Sequence, residues 1–337
     1  MTRQLRLLLA CLFGFGAAAA NAEADDFRWG LVAYHVNFPG YQLDASDLEL
    51  IADNGIEWIR IDFAWGQIEP ERDGEFEWAY FDAVVAAAKA NGLQIAGTIG
   101  NGYNTRIRPV APSWSRGLRP PVYLEELGEY ADAVVQRYAD DVDLWGLENE
   151  VHIAPLHVAL GWRNPQFFTP IMQLRIVKRL NEAADAFDPT AGTVLTAAPF
   201  FFWRPFLSTA ARLFDYDYAG IYQYVSGPDP ADQQAFDQQV ADVVGMAEEA
   251  SGKPVMIFET GFTTAEGSLE DQANYVQTMS TAARRAGAEG IFFYQLLDNT
   301  DEVLPREEQF GLLNADRTPK PAWTRYGEVI AGTAADR

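Results

Sequence analysis

The sequence is poor in cysteine, in histidine and in positive charge. Its one cysteine, Cys11, falls within the first 22 residues, so the rest of the chain has no thiol for a disulfide, a metal or a nucleophile. There are three histidines, His35, His152 and His157. The last two stand five apart, not the four that set two ligands on one helical face, which argues against a metal-dependent hydrolase. No metal and no cofactor are expected. No glycine-rich phosphate loop opens a helix, and no serine sits in a recognisable nucleophile setting. Lysine and arginine number 25 against 48 acidic residues, a formal net charge of −23. That balance excludes nucleic acid as a partner, because phosphate binding needs a basic surface.

Residues 1–22 read as a secretory signal peptide. Arg3 and Arg6 form a basic start, residues 7–15 an apolar middle, and Ala20-Asn21-Ala22 a small-residue site with cleavage expected after Ala22. The apolar middle is too short for a membrane span. Without Arg3 and Arg6 the charge becomes −25, with 23 basic against 48 acidic residues. A secreted or periplasmic protein is expected, with no membrane contact once the signal is removed. Oligomeric state leaves no signal.

Residues 23–337 are long for an ordinary domain but usual for a single eightfold barrel. From residue 28 the chain alternates strand-like and helix-like segments, the pattern of parallel α/β architecture. Strands are expected over 29–35, 58–65, 94–101, 143–150, 193–199, 218–225, 254–261 and 290–297. Helical spacing of apolar residues covers 80–90, 124–138, 171–187, 230–250 and 269–286. Asn54-Gly55, Asn91-Gly92 and Ser251-Gly252 each close a helix before the next strand. The fold class is therefore α/β, a single-domain (β/α)8 TIM barrel, with short glycine turns at one end and long aromatic loops at the other.

Two segments point to chemistry at the loop end. Residues 143–150, DLWGLENE, and 254–261, PVMIFETG, are apolar runs that stop at Glu150 and Glu259. Near-continuous apolar runs suit parallel strands covered on both faces, and residues at the carboxyl ends of barrel strands line the catalytic mouth. Paired there, the two glutamates read as one site.

Further residues carry a resemblance. Trp58-Ile59-Arg60-Ile61-Asp62, followed by Trp65, Ile68-Glu69-Pro70, Gly74, Phe76, Trp78 and Phe81-Asp82, resembles the second-strand signature of glycoside hydrolase families 5, 39 and 42. Arg137-Tyr138 before Trp145 and Asn149-Glu150 resembles the approach to the fourth strand. Phe310-Gly311-Leu312 with Pro319-Lys320-Pro321-Ala322 resembles the ending. The chain thus resembles glycoside hydrolase clan A, the retaining β-glycosidase barrels, and is most similar in pattern to family 39 and family 5-like bacterial exopolysaccharide hydrolases.

The resemblance implies that Glu150 is the general acid/base and Glu259 the nucleophile of a double displacement on β-glycosidic bonds of a polysaccharide or oligosaccharide. It implies that Asn149 binds the sugar 2-hydroxyl, that Arg60 orients Glu259, and that Tyr224 donates to it. Tyr222 stands where the clan often has a histidine, Glu148 where an apolar residue often precedes the Asn-Glu pair, and Val151 replaces a frequent proline. Strand alternation sends Glu148 away from the face of Asn149.

Aromatic residues in the mouth loops are candidate sugar platforms: Tyr103, Trp114, Trp162, Trp203 and Tyr294, with Trp65 at the end of the second strand. The run Phe200-Phe201-Phe202-Trp203 reads as buried packing or as a wall of the cleft. Between Asp82 and Glu125 there is no acidic residue, while Lys89, Arg106, Arg108, Arg116 and Arg119 give this stretch +5. Arginines beside a negative cleft suit an anionic glycan, read directly at Arg106 and Arg108. The alternative for them is surface pairing with Glu125, Glu126 and Glu129. Two further readings of the whole chain stay open, a non-catalytic carbohydrate-binding barrel accessory to polysaccharide export and a transglycosylase using the same residues.

Overall fold

The computed structural model describes residues 27–34, 42–72, 74–100, 111–153, 169–227, 229–299 and 309–335. The proposed signal segment, His35 and His157 lie outside these residues. Eight parallel strands close into a barrel in chain order. They are β1 (Arg28–Tyr34), β2 (Trp58–Asp62), β3 (Gln94–Ile99), β4 (Leu144–Leu147), β5 (Gly192–Ala197), β6 (Tyr218–Tyr222), β7 (Val255–Thr260) and β8 (Gly290–Tyr294). Each strand is followed by a helix that returns the chain to the next, as the alternation predicts. The (β/α)8 architecture expected from the sequence is the one that forms.

Local chemistry explains the punctuation. Asp44 caps the helix Ala45–Asp53, accepting from Ser46 and Asp47 amides while the Asp47 carboxylate accepts from Asp44, a reciprocal box. Ser268 and Asp271 form the same box at Leu269–Arg285. Thr169 caps Pro170–Phe187, with proline in the first turn where its missing N–H costs nothing. The three expected glycine turns take left-handed backbone, with φ of +80° at Gly55, +72° at Gly92 and +68° at Gly252.

Strands β2, β4 and β7 are buried along their whole length, because helices cover the outside and side chains fill the inside. Val32, Trp58, Ala96, Val194, Phe258 and Phe292 belong to that inner cluster. Room for the Phe258 ring comes from neighbouring strands. A Cβ on Gly220 would lie 2.6 Å from Val194 and 3.1 Å from Phe258, and one on Gly146 would lie 3.3 Å from Phe258. Phe258 matters below because it stacks on the charged centre of the site.

Four expected strands run three residues too long, β8 among them, which ends at Tyr294 and not at 297. β2 ends at Asp62, β4 at Leu147 and β6 at Tyr222, so Trp65, Glu150 and Tyr224 sit on turns beyond the strands. A helical turn, Trp65–Ile68, follows β2, and a 3-10 turn, Val151–Ile153, follows Glu150. The helices Ala45–Asp53, Trp203–Leu213 and Pro321–Ala335 complete the outer layer.

Candidate active site

Arg60 is the centre of the mouth. It comes from the middle of β2, is fully buried, and every nitrogen of its guanidinium finds an acceptor. Nε donates to Thr98 Oγ1 at 3.1 Å, Nη1 to Glu259 Oε2 at 2.7 Å, and Nη2 to Asn149 Oδ1 at 2.9 Å. Asp62 lies 3.6 Å from Nη2. The rings of Tyr222 and Phe258 flank the guanidinium, with centroids 5.0 and 5.1 Å from Cζ. Burial works against the charge, but Tyr222, Asp62 and Glu259 outweigh it, so the pKa of Arg60 is raised.

Glu259, near the end of β7, is buried and held at both oxygens. Oε2 accepts from Arg60, and Oε1 accepts from the Tyr224 hydroxyl at 2.8 Å. The expected partners of Glu259 are thus its partners. Because Asn149 Oδ1 is taken by Arg60, the amide orientation is fixed and its NH2 is the end left to meet a ligand.

Glu150 is half-buried on the turn after β4. Glu148 and Glu150 both take positive φ, +66° and +50°, a conformation that costs on the order of 1–3 kcal/mol for a residue with a side chain. Thr196 of β5 holds the turn: its hydroxyl donates to Glu148 O at 2.9 Å and accepts from Glu150 N at 3.3 Å. The Glu148 carboxylate folds under the turn, fully buried, and accepts from Asn149 N at 2.8 Å. Gly100 makes room for it, since a Cβ there would lie 3.1 Å from that carboxyl. His152 Nε2 lies 2.9 Å from Ala198 O, a second tie between the ends of β4 and β5.

Tyr222 ends β6 with its ring against the Arg60 guanidinium. Burial pushes its pKa well above the ordinary phenol value; Arg60 opposes this, and Glu259, Asp62 and Glu150 add to it. Raised in this way, the hydroxyl stays a neutral donor. Among the described residues that hydroxyl is buried with no hydrogen-bond partner.

The remaining candidates divide. Tyr103, Arg106, Arg108 and Trp162 lie outside the described residues. Tyr294 ends β8 in the inner cluster, its ring edge-on to Phe310. Trp114 is half-buried, with Trp65 against its edge and the Arg72 guanidinium over its ring at 5.7 Å. Two aromatic expectations are corrected. Trp65 is fully buried, because the turn Trp65–Ile68 folds it back onto Tyr130, where its N–H donates to Glu69 at 2.7 Å. Trp203 opens a helix and packs into the core between barrel and helices, so it is no sugar platform. Glu126, offered above as a partner for the loop arginines, pairs with Arg72 among the described residues.

Sequence reasoning gave no site role to Asp62, Thr98 or Thr196. Asp62 had a signal, being two residues from Arg60 and so on the same strand face. The two threonines had none, since their roles come from neighbouring strands.

A sequence profile for glycoside hydrolase family 42, described as beta-galactosidase, matches residues 41–116. The structure is similar to GH5_18 from Streptomyces cattleya in complex with GlcNAc, with 18% identity, TM-score 0.75, and coverage of 93% of this chain and 82% of that one. It is also similar to the beta-glucosidase of Thermotoga maritima in complex with cyclophellitol, at 15% identity, TM-score 0.71, and 92% and 98% coverage. A coniferin beta-glucosidase of Pinus contorta is 26% identical over 125 residues, 36% of this chain and 24% of that protein. The chain spans about a quarter or less of the length of the curated relatives it matches. The resemblance to clan A glycosidase barrels drawn from the sequence is borne out.

Proposed function

We propose that this protein is a retaining β-glycosidase with Glu259 as nucleophile and Glu150 as general acid/base. The observation that carries this reading is the buried Glu259 carboxylate, gripped by Arg60 on one oxygen and Tyr224 on the other, with Asn149, the neighbour of Glu150, held by the same guanidinium. The ion pair with Arg60 fits a carboxylate that reacts as an anion.

Glu259 attacks the anomeric carbon while Glu150 gives its proton to the glycosidic oxygen, so the bond to the leaving group breaks and a covalent glycosyl-enzyme forms. Glu150 then takes a proton from water, which attacks the same carbon and releases Glu259. Two inversions give net retention and call for carboxyl groups about 5–5.5 Å apart. The Asn149 NH2 suits the sugar 2-hydroxyl, and the Tyr222 hydroxyl is a second donor for the bound sugar. Relatives named as beta-galactosidase and beta-glucosidase support the β-configured bond.

As the finer reading, the glycan carries acidic groups, supported by the +5 stretch that includes Arg106 and Arg108. Release of reducing ends from a panel of neutral and acidic β-glycans tests both levels. Glu259→Gln and Glu150→Gln should lose activity, the latter by about 10²–10⁴-fold. Replacing Arg106 and Arg108 with Ala should raise KM for the acidic glycan alone. Equal loss on neutral and acidic glycans would refute the charge reading.

A further inference from the structure

Two motifs of the sequence take no part in the chemistry above, Phe310-Gly311-Leu312 and Pro319-Lys320. The structure brings both to the mouth, where the stretch 309–313 runs beside the chain that leaves β8. Leu312 N donates to Gln295 O and Leu313 N to Leu296 O, each at 2.9 Å, and Asp298 N donates to Leu313 O at 2.9 Å. The Asp298 side chain adds a pin: Oδ1 accepts from Gly311 N at 2.9 Å and from the buried Lys320 Nζ at 2.7 Å. From the helix Leu269–Arg285, Gln272 Nε2 reaches three carbonyls, Phe262 O at 2.9 Å, Gly311 O at 3.2 Å and Phe310 O at 3.3 Å. Backbone, ion pair and amide together fix where residue 310 stands.

What is held in this way is one ring. Phe310 is buried among the ends of three strands. It stands edge-on to Tyr224 beyond β6, with centroids 5.9 Å apart and planes at 79°, and edge-on to Tyr294 of β8, at 5.5 Å and 67°. Both pairs fall in the range where the positive edge of one ring meets the negative face of another. Against it lies Gly261, just past Glu259 at the end of β7, where a Cβ would come within 3.0 Å of Phe310 Cδ1. The missing side chain at 261 is what admits the ring.

Tyr224 needs such a support. It lies beyond Tyr222, the last residue of β6, and is 37% exposed, so the barrel ladder ends before it. A phenol turns about two torsions, and the Tyr224 hydroxyl meets Glu259 Oε1 at 2.8 Å only while its ring keeps one direction. We propose that Phe310 is a positioning residue for the nucleophile: locked by Asp298, Lys320 and Gln272, its ring braces Tyr224 so that the phenol hydroxyl donates to Glu259. The proposal rests on the glycosidase reading and extends it to a side chain that makes no hydrogen bond of its own.

The test is a double-mutant cycle on a β-glycoside that the wild type cleaves, comparing wild type, Phe310→Leu, Tyr224→Phe and the two changes together. Leucine keeps apolar bulk at 310 and removes the ring edge, whereas phenylalanine at 224 keeps the ring and removes the hydroxyl. Phe310→Leu should lower kcat about tenfold, the upper end of what one edge-on contact is worth, with KM within about twofold of wild type. In the Tyr224→Phe background the same change should cost less than about threefold, because the hydroxyl that Phe310 aims is already gone. Should leucine lower the urea midpoint sharply, Phe310→Met, the more adaptable shape, repeats the cycle. No loss, equal loss in both backgrounds, loss confined to KM, or a Tyr224→Phe enzyme with wild-type kcat would overturn the positioning role while leaving the glycosidase reading intact. A Glu259→Gln enzyme as active as wild type would sink that reading and this one with it.

Discussion

Arg60 brings a full charge into the barrel interior, and the site is assembled on it. Removing such an ion from water is costly, and only close partners with good geometry return the cost. Here the fork of the guanidinium meets three different residues, Thr98, Glu259 and Asn149, from three different strands or their ends. Lysine, a single point charge, can serve one or two of these but not all. Arg60→Lys should therefore fold yet lose on the order of 10²-fold in kcat, as expected when a catalytic group is displaced by about 1 Å. Arg60→Met should cost about 3–5 kcal/mol, because Glu259 and Asp62 are left buried without their cation. Urea midpoints and kcat measured together check both, and a lysine variant with wild-type kcat would deny Arg60 its positioning role. Arg60, Asn149 and Tyr224 were legible in the sequence because each falls at a motif position. Trp65 and Trp203 were misread because an aromatic residue looks the same whether it faces a cleft or the core.

At the scale of elements, the β4–β5 pair decides how Glu150 is presented. The sequence run 143–150 looks like one strand, yet pairing stops at Leu147 and the chain turns through two left-handed glutamates. Nothing local announces this, since left-handed backbone normally advertises itself with glycine or asparagine. The cause lies 46 to 48 residues away, in the Thr196 hydroxyl that bonds Glu148 O and Glu150 N. Thr196→Val keeps the shape of the side chain and removes both bonds. It should cost about 1–3 kcal/mol for the buried groups left unpaired, and lower kcat with little change in KM. If kcat is unmoved, the threonine does not set the position of Glu150. By contrast, the glycine turns and the β7 run ending at Glu259 were readable, because their signals are local.

For the whole molecule, the dominant number is the net charge of −23. Self-repulsion of that size destabilises the compact state and is screened by salt. Against it stand carboxylates that the fold holds below their ordinary range, such as Asp82, lowered mainly by the Arg137 guanidinium, and Asp271, lowered by its capping partner Ser268. A lowered pKa contributes stability above the unfolded value and loses it as pH falls through the folded one. Stability should thus rise as pH drops from 7 toward about 5, where repulsion eases, and fall again below about 4 as these carboxylates protonate. Calorimetry should also find that salt raises Tm at pH 7. A Tm insensitive to salt, with no maximum between these limits, would mean that charge repulsion is not what bounds stability. The barrel itself was legible at this scale from alternation alone.

The most direct test of the central claim is the anomer released first. Proton NMR during the opening minutes of hydrolysis of a β-glycoside that the wild type cleaves should detect the β-anomer before mutarotation, and Glu259→Gln should give no product on the same timescale. An α-anomer appearing first, or a Glu259→Gln variant that hydrolyses at the wild-type rate, would contradict a double displacement through Glu259.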